Sequence, residues 1–111
     1  MSESEDVRVV LRLRARPETA EQLKPVMFDL ATASAKEDGC HSYKVFQNQS
    51  DPLDFVLYET WRDQPSLDAH LATAHVQQAF AKGLPLLDGA PDRQVYTAIE
   101  RHINRPGEVT S

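Results

Sequence analysis

The sequence predicts one α+β domain in which strands and helices follow the order β-α-β-β-α-β. Residues 7–16 alternate apolar and polar side chains with the period of two that a half-buried strand requires. Apolar side chains then recur at helical spacing over residues 23–34, which indicates a helix with one buried face. Two strand-like runs, 41–48 and 54–61, follow, and the second leads into a further helical pattern and a last strand at residues 93–101.

The first strand has one apolar face and one face that carries a row of arginines. Val10 interrupts this row, which comprises Arg8, Arg12, Arg14 and Arg16. One interpretation is that the row is a solvated outer face. The other is that it meets the carboxylates of a second subunit, because the guanidinium group is suited to partly buried ion pairs.

The first helix is predicted to begin at Thr19, which forms a candidate capping box with Gln22 three residues later. Pro25 lies inside the helical pattern, and its ring lacks the backbone N–H that a helix interior uses. We therefore expect either a kink at this proline or a helix that begins only at Pro25. Gly39 is predicted to terminate the helix, since glycine is favoured at that position.

The two central strands are predicted to be joined by a turn at residues 49–53. On the second of these strands, the side chains of Phe55, Leu57, Glu59 and Trp61 share one face.

The second helical segment has two start signals. Asp63 can cap its N-terminus, with Pro65 tolerated in the first turn. Thr73 can restart a helix that contains His75. Residues 84–91 are predicted to form the loop before the last strand.

This order of elements is that of the ferredoxin-like fold, an antiparallel four-stranded sheet with helices over one face and a second face left to be covered. The predicted domain comprises residues 7–101. We expect a disordered N-terminal tail at residues 1–6 and a C-terminal tail at residues 102–111, because both segments are too polar to offset the entropy lost on ordering.

The composition disfavours several kinds of partner. The net charge of −5 argues against a nucleic-acid backbone, and no apolar run approaches the roughly 20 residues that a membrane span needs. The sequence has no glycine-rich nucleotide loop and no Gly-x-Ser-x-Gly motif. The single Cys40, which we interpret as a small buried hydrophobe, cannot form an internal disulfide. We expect a cytoplasmic protein with no nucleic-acid or membrane partner.

Two histidines are the first candidates for chemistry. His70 and His75 are five positions apart, whereas metal ligands on one face of a straight helix are three or four apart. No Glu-x-x-His or Cys-x-x-Cys motif joins them, so the sequence predicts no metal site. Taken alone, a helical histidine is more often a hydrogen-bonded structural residue than a catalyst.

Glu59 and Trp61 lie on the predicted inner face of a strand, so we expect Glu59 to be buried and to need a partner or a proton. Arg12 is the structural candidate for this partner, and the functional alternative is that Glu59 accepts a proton from a bound phenol. Trp61 either walls a pocket, with one hydrogen bond to donate, or packs in the core. Tyr43 either contacts a ligand or fills the core.

An ordered set of residues resembles the pattern of the antibiotic biosynthesis monooxygenase (ABM) family over about residues 7–99. The set consists of Gly39-Cys40, Tyr43, Tyr58-Glu59, Trp61, His70 and His75. The resemblance implies a homodimer whose two sheets pack face to face into a dimeric α+β barrel. It also implies oxidation of an electron-rich phenol or hydroquinone by O2 without metal, flavin or haem, so no cofactor is expected.

The resemblance also suggests roles for individual residues. His70 and His75 are expected to be catalytic, as a proton-handling pair. The expected substrate-binding residues are Trp61, Tyr43, Glu59 and Phe80. The partners are then a small aromatic substrate and O2. A deprotonated, electron-rich substrate can itself reduce oxygen, while the protein supplies orientation, a base and exclusion of water.

Two alternatives remain open. One branch of the family isomerises a phosphorylated signalling sugar, which would require basic residues in a pocket that the sequence predicts to be mostly apolar and acidic. The other alternative is a non-enzymatic dimer that binds a small apolar molecule, because fold does not imply function. Haem degradation is disfavoured, since that branch has tryptophan at the position of His70 and a haem-ligating histidine near the position of Phe80.

Overall fold

The computed structural model describes residues 6–99, which form a four-stranded sheet and three α-helices. The elements are, in chain order, β1 (Val7–Arg14), α1 (Ala20–Ser34), β2 (Cys40–Gln47), β3 (Asp54–Trp61), α2 (Gln64–Leu71), α3 (Ala74–Gly83), a 3₁₀ turn (Leu84–Leu86) and β4 (Asp92–Thr97). The predicted order is confirmed, with the second helical segment divided into α2 and α3. Most of the predicted N-terminal tail, the end of the last predicted strand and the C-terminal tail lie outside the described residues.

The sheet has the ferredoxin-like topology that the sequence predicts. Its strand order is β2-β3-β1-β4, and every neighbouring pair is antiparallel. At the centre, Leu11 of β1 pairs with Leu57 of β3 on one side and with Arg93 of β4 on the other. Within residues 6–99, the helices are all too short or too polar to cross a membrane.

The main core lies between the inner face of the sheet and helices α1 and α3. Its largest fully buried side chains are Leu23, Met27, Phe55 and Leu57. A second cluster joins β1, β3 and α2, and it consists of Val7, Val9, Trp61 and Leu67. Burying each large apolar side chain stabilises the fold by roughly 1.5–3 kcal/mol, so these clusters fix the helices that carry the histidines.

The outer face of the sheet carries the arginine row, and arginines in it find partners within the chain. Arg12 Nη2 lies 3.1 Å from Asp54 Oδ2, while 60% of the Arg12 side chain remains exposed. Arg8 Nη1 donates to the Tyr58 hydroxyl at 2.8 Å. The row therefore combines intrachain pairing with exposure to solvent.

The start of α1 differs from the prediction in its chemistry. The helix begins after Thr19, but Thr19 Oγ1 donates to the Leu86 carbonyl at 2.6 Å and accepts from the Arg16 backbone N at 3.1 Å. The predicted capping box with Gln22 is therefore wrong, because the buried threonine bonds to the 3₁₀ turn and the preceding loop. The helix also continues through Pro25, so the alternative of a helix start at that proline is wrong.

Gly39 has a different role from the predicted helix terminator, because α1 already ends at Ser34. Gly39 forms the turn into β2 with a φ of +89°, a conformation that favours glycine. A Cβ atom at this position would lie 2.6 Å from Cβ of Ser66 in α2. This close approach brings the loop after α1, which contains Glu37, against α2.

The predicted start signals of α2 and α3 are confirmed. Asp63 Oδ1 accepts a hydrogen bond from the backbone N of Ser66 at 3.0 Å. Thr73 Oγ1 accepts from the backbone N of Val76 at 3.3 Å, and its hydroxyl donates to the His70 carbonyl at 2.8 Å. Thr73 thus closes one helix and opens the next, which places a break between the two histidines.

Candidate active site

Glu37 joins the two histidines that the sequence singled out. Its Oε2 atom lies 2.7 Å from Nδ1 of His70 and 2.6 Å from Nε2 of His75. His70 is buried, with 3% of its side chain exposed, whereas 30% of the His75 side chain is exposed. Since an ionised carboxylate can only accept hydrogen bonds, each histidine donates an N–H to this oxygen. One buried and one accessible imidazole are therefore connected through a single carboxylate.

The break between α2 and α3 makes this arrangement possible. On a straight helix, side chains five positions apart point about 140° away from each other. Because the chain changes direction at Thr73, the rings of His70 and His75 converge, and their centroids are 6.1 Å apart. The loop held by Gly39 then places Glu37 between them.

Glu59 lies on the far side of His70 and extends the polar chain into the core. Its Oε1 atom lies 3.8 Å from His70 Nε2 and accepts a hydrogen bond from Trp61 Nε1 at 2.9 Å. Burial raises the pKa of the Glu59 carboxyl, and the hydrogen bond from Trp61 and the nearby His70 ring oppose this shift. The predicted Arg12–Glu59 pair is wrong, because Arg12 projects from the outer face and pairs with Asp54, whereas Glu59 lies on the inner face.

Tyr43 and Trp61 pack around the buried histidine. Their ring centroids lie 5.8 Å and 4.5 Å from that of His70. Burial raises the pKa of the Tyr43 phenol, and the nearby Glu59 carboxylate raises it further, so the hydroxyl stays protonated over the ordinary pH range. These rings exclude water from the inner side of the site, which strengthens the electrostatic interactions there.

Phe80 is not brought together with these residues. It lines an apolar cavity between the sheet and the helices, whose volume is about 30 Å³. A cavity of this size has room for water but not for an aromatic ring. Five of the six predicted site residues therefore surround the Glu37 carboxylate or stand behind His70, and Phe80 belongs to a separate apolar region.

A larger groove runs between α1 and α3, with a volume of about 350 Å³. His75 forms part of its wall, so the accessible imidazole opens onto this groove. The other residues that line it are Pro25, Val26, Asp29, Leu30, Ala33, Gln78, Ala79 and Lys82.

Glu37 is the site residue that the sequence analysis did not select. It lies 33 positions from His70 and 38 from His75, in a loop between elements that are not adjacent to α3 in sequence. Its one local signal is its place two residues before Gly39, and this signal does not distinguish it from any charged loop residue. Only the packing of that loop on α2 shows its role.

The site can also be described by its ligand atoms. One atom each from Glu37, His70 and His75 lie within 4.8 Å of one another. Histidine nitrogens and a carboxylate oxygen are donors that first-row metal ions accept. The prediction of no metal site rested on the spacing of the histidines and on the absence of local ligand motifs, whereas the structure adds a third donor from another element.

Comparisons with known proteins agree on one family. The family model for antibiotic biosynthesis monooxygenase matches residues 6–82. A curated relative, "Putative monooxygenase YcnE" of Bacillus subtilis, is 31% identical over 80 residues, which cover 72% of this chain and 84% of the relative.

Solved structures with the same fold include Rv0793 from Mycobacterium tuberculosis, with a TM-score of 0.82, 26% identity and coverage of 86% of this chain and 97% of that one. PA3566 from Pseudomonas aeruginosa has a TM-score of 0.80 and 26% identity, and the match covers 90% of this chain and 100% of that one.

Fold and site together define a small ferredoxin-like protein with a carboxylate-linked histidine pair beside a groove. The chain belongs to the antibiotic biosynthesis monooxygenase family, and the resemblance seen in the sequence is confirmed. Membership of this family indicates a monooxygenase role in general terms.

Proposed function

We propose that this protein is a monooxygenase that oxidises an electron-rich phenol or hydroquinone with O2. The observation that carries the proposal is the position of the Glu37 carboxylate, within hydrogen-bonding distance of both His70 and His75. Family membership supports the class of reaction, and the arrangement of these three residues supports the way in which a substrate proton would be removed.

His75 is the proton acceptor in this proposal. Because its Nε2–H is donated to Glu37, the neutral ring has its lone pair at Nδ1. A phenol beside the ring would transfer its proton to Nδ1. The negative charge of Glu37 would stabilise the imidazolium that forms, as the carboxylate of a catalytic triad does. His70 bonds to the same oxygen from the buried side, which holds the carboxylate in place and completes the proton-handling pair.

Deprotonation prepares the substrate to reduce O2 directly. Electrons pass from the phenolate to O2, a C–O bond forms at a ring carbon, and the O–O bond then breaks. For a hydroquinone, one oxygen atom remains in the hydroxylated quinone and the other leaves as water. The substrate supplies all of the electrons, so the reaction as proposed needs no external reductant or organic cofactor. The protein contributes orientation, a base and a partly dry environment.

We place the substrate in the groove between α1 and α3. Its volume of about 350 Å³ falls within the range of roughly 300–1,000 Å³ that is typical of small-molecule sites. Val26, Leu30 and Ala79 give it apolar surface, and His75 gives it a base. In this arrangement Trp61, Tyr43 and Glu59 do not line the groove. They pack around His70 on the buried side of the histidine pair.

We also propose that the protein is a homodimer whose sheets pack face to face. The register places Phe46 opposite Val56 and Tyr96 opposite Arg8, on the outer face of the sheet. Phe46 and Tyr96 are 50% and 54% exposed, and burying them against a second sheet would remove apolar surface from water. An interface of standard size buries at least about 1,200 Å² in total. Light scattering that gives a mass near 12.5 kDa at micromolar concentration would refute this dimer.

Oxygen uptake with a panel of hydroquinones and phenols tests the proposed reaction. We expect uptake that depends on the protein and on substrate and that stops when oxygen is removed. Binding of a panel member without uptake would contradict the proposal and favour the non-enzymatic binder. The charged residues that line the groove are Asp29 and Lys82, so it offers a phosphorylated substrate one lysine, opposed by the Asp29 carboxylate.

A further inference from the structure

We propose that Glu37, His70 and His75 form a binding site for one divalent first-row transition metal ion. This inference concerns an occupant that the proposed oxygenase reaction does not use. The donor set is two imidazole nitrogens and one carboxylate oxygen, which suits both Zn²⁺ and non-haem Fe²⁺. The three residues come from the loop after α1, from α2 and from α3, so the site exists only in the folded chain.

The distances are close to those that a metal ion requires. Ligand atoms about 2.0–2.1 Å from a tetrahedral ion are about 3.3 Å from one another. Glu37 Oε2 now lies 2.7 Å from His70 Nδ1 and 2.6 Å from His75 Nε2. An outward shift of roughly 0.6 Å at the His70 contact and roughly 0.7 Å at the His75 contact would admit the ion. Partly exposed His75 lies on the open side of the cluster and can make this shift through rotation of its side chain.

The surroundings of His70 supply the second requirement, a group that orients the metal ligand. In metal sites, a ligating histidine usually donates its other ring N–H to a carboxylate or carbonyl. Here Nδ1 of His70 faces the cluster, and its Nε2 lies 3.8 Å from Glu59 Oε1. Trp61 in turn donates to that same oxygen at 2.9 Å. When the ion displaces the Nδ1 proton that His70 donates to Glu37, the ring carries its proton on Nε2, and a small approach of Glu59 to hydrogen-bond distance would hold that tautomer.

Charge and access also favour a cation. When the histidines are neutral, the ligand set has one negative charge, and Glu59 can add a second just behind it. Three protein ligands leave a fourth position free, and the groove beside His75 gives that position a path to solvent.

A metal ion bound at this site would prevent His75 from accepting the substrate proton. The ion would replace both hydrogen bonds to Glu37, and its positive charge would oppose protonation of His75. We therefore expect Zn²⁺ to suppress oxygen uptake. This consequence rests on the proposed function, whereas metal binding itself does not.

Titration of the intact, chelator-treated protein with Co²⁺ tests the site. Co²⁺ serves as the probe because its visible absorption reports ligand number and geometry. We expect one Co²⁺ per chain in the wild type, displacement by Zn²⁺, and loss of the absorption in His75→Ala. The matched control is His41→Ala, since His41 is an exposed histidine on β2 with 54% of its side chain accessible. The His41→Ala variant should bind Co²⁺ as the wild type does.

A second variant separates ligation from folding. Glu59→Gln keeps all three ligands and should bind Co²⁺ about 10-fold to 100-fold more weakly, as expected when a ligand-orienting group is changed. Thermal melts of the metal-free variants confirm that each is folded, and Zn²⁺ should raise the melting temperature of the wild type but not of His75→Ala. A featureless Co²⁺ spectrum, or equal binding by His75→Ala, would overturn the proposal. The Co²⁺ spectrum and the thermal melt do not involve substrate. Failure of the oxygenase proposal would be seen separately, as an absence of oxygen uptake by the metal-free protein.

Discussion

Glu37 Oε2 lies 2.6 Å from His75 Nε2, although 38 positions of the chain separate the two residues. The contact links the loop after α1 to the first turn of α3, and it fixes which nitrogen of His75 carries the proton. A neutral histidine that donates Nε2–H to a carboxylate has its lone pair at Nδ1, and His75 lines the groove. The chemical consequences of the site follow from this one hydrogen bond.

Replacement of the proposed base should remove most of the activity. We expect His75→Gln to slow turnover about 10²-fold, the usual contribution of general base catalysis. Because His75 is partly exposed, the melting temperature should change little. The measurement is turnover beside a thermal melt on the same samples, with His41→Gln as the control. If His75 only satisfies backbone groups at the start of α3, the melt would shift instead and the folded fraction would keep its rate.

Substitution of the bridging carboxylate should remove the charge that supports proton transfer. Both histidines bond to Glu37 Oε2, so an amide oxygen at that position in Glu37→Gln can still accept from both rings. The neutral amide cannot stabilise the imidazolium that His75 becomes when it takes the substrate proton. We expect turnover to fall at least 10²-fold, with stability nearly unchanged.

The control for this variant is Glu21→Gln, because Glu21 is an exposed acid of α1 that pairs with Lys24 in a surface contact. Glu37→Ala should differ from both, since it leaves the buried His70 N–H without a partner at a cost of about 1–3 kcal/mol. Equal rates in wild type and Glu37→Gln would exclude the carboxylate from the mechanism.

Two glycines with positive φ within residues 6–99 provide a matched pair that tests how the loop is held. Gly39 has φ +89° and meets Ser66, whereas Gly89 has φ +91° and has no atom within 4 Å of a Cβ built there. Alanine at either position should cost about 1–2 kcal/mol from backbone strain. Gly39→Ala should cost more and should also lower activity, because the loop must move away from α2 and take Glu37 with it. Chemical denaturation and turnover of both variants decide this, and equal effects would contradict it.

The thiol of Cys40 should be unreactive in the native protein. Burial, with smaller effects from the charges of Glu37 and Glu59, raises the pKa of the Cys40 thiol to about 11. At pH 8 a thiol reagent should therefore modify the folded chain far more slowly than the urea-unfolded chain.

The same shift has a consequence for stability. The unfolded thiol ionises near pH 8.5 and the folded one only near pH 11. Stability from this group is therefore intact below the lower value and is lost as pH rises toward the higher one. Cys40→Ser should remove that part of the pH dependence. If the thiol reagent modified folded and unfolded protein at equal rates, the raised pKa of Cys40 would be refuted.

The features that the sequence predicted correctly depend on local patterns. The alternation of β1, the Asp63 cap and the Thr73 restart each involve residues within a few positions of one another, and all three occur in the structure. The errors arise where distant contacts override a local preference. Thr19 bonds to Leu86 rather than to its own helix, and the partner of Arg12 depends on which face of the sheet it occupies.

The site was predictable only in part, for the same reason. His70 and His75 could be selected from the sequence, and the break at Thr73 explains how residues at an unfavourable spacing converge. Glu37 could not be selected, because its role depends on the packing of a loop against α2 through Gly39. Phe80 follows the helical pattern but lies by the apolar cavity, which no spacing rule distinguishes from the histidine site.

In the proposed reaction, O2 reacts with a substrate whose proton the Glu37-linked histidine pair has removed. Isotopically labelled O2, supplied to chelator-treated protein with an active hydroquinone, tests this reaction through the mass of the product. We expect one labelled oxygen atom in the quinone and one in water, with the labelled quinone nearly lost in His75→Gln. Unlabelled quinone with peroxide as the by-product, or full labelling by His75→Gln, would contradict it.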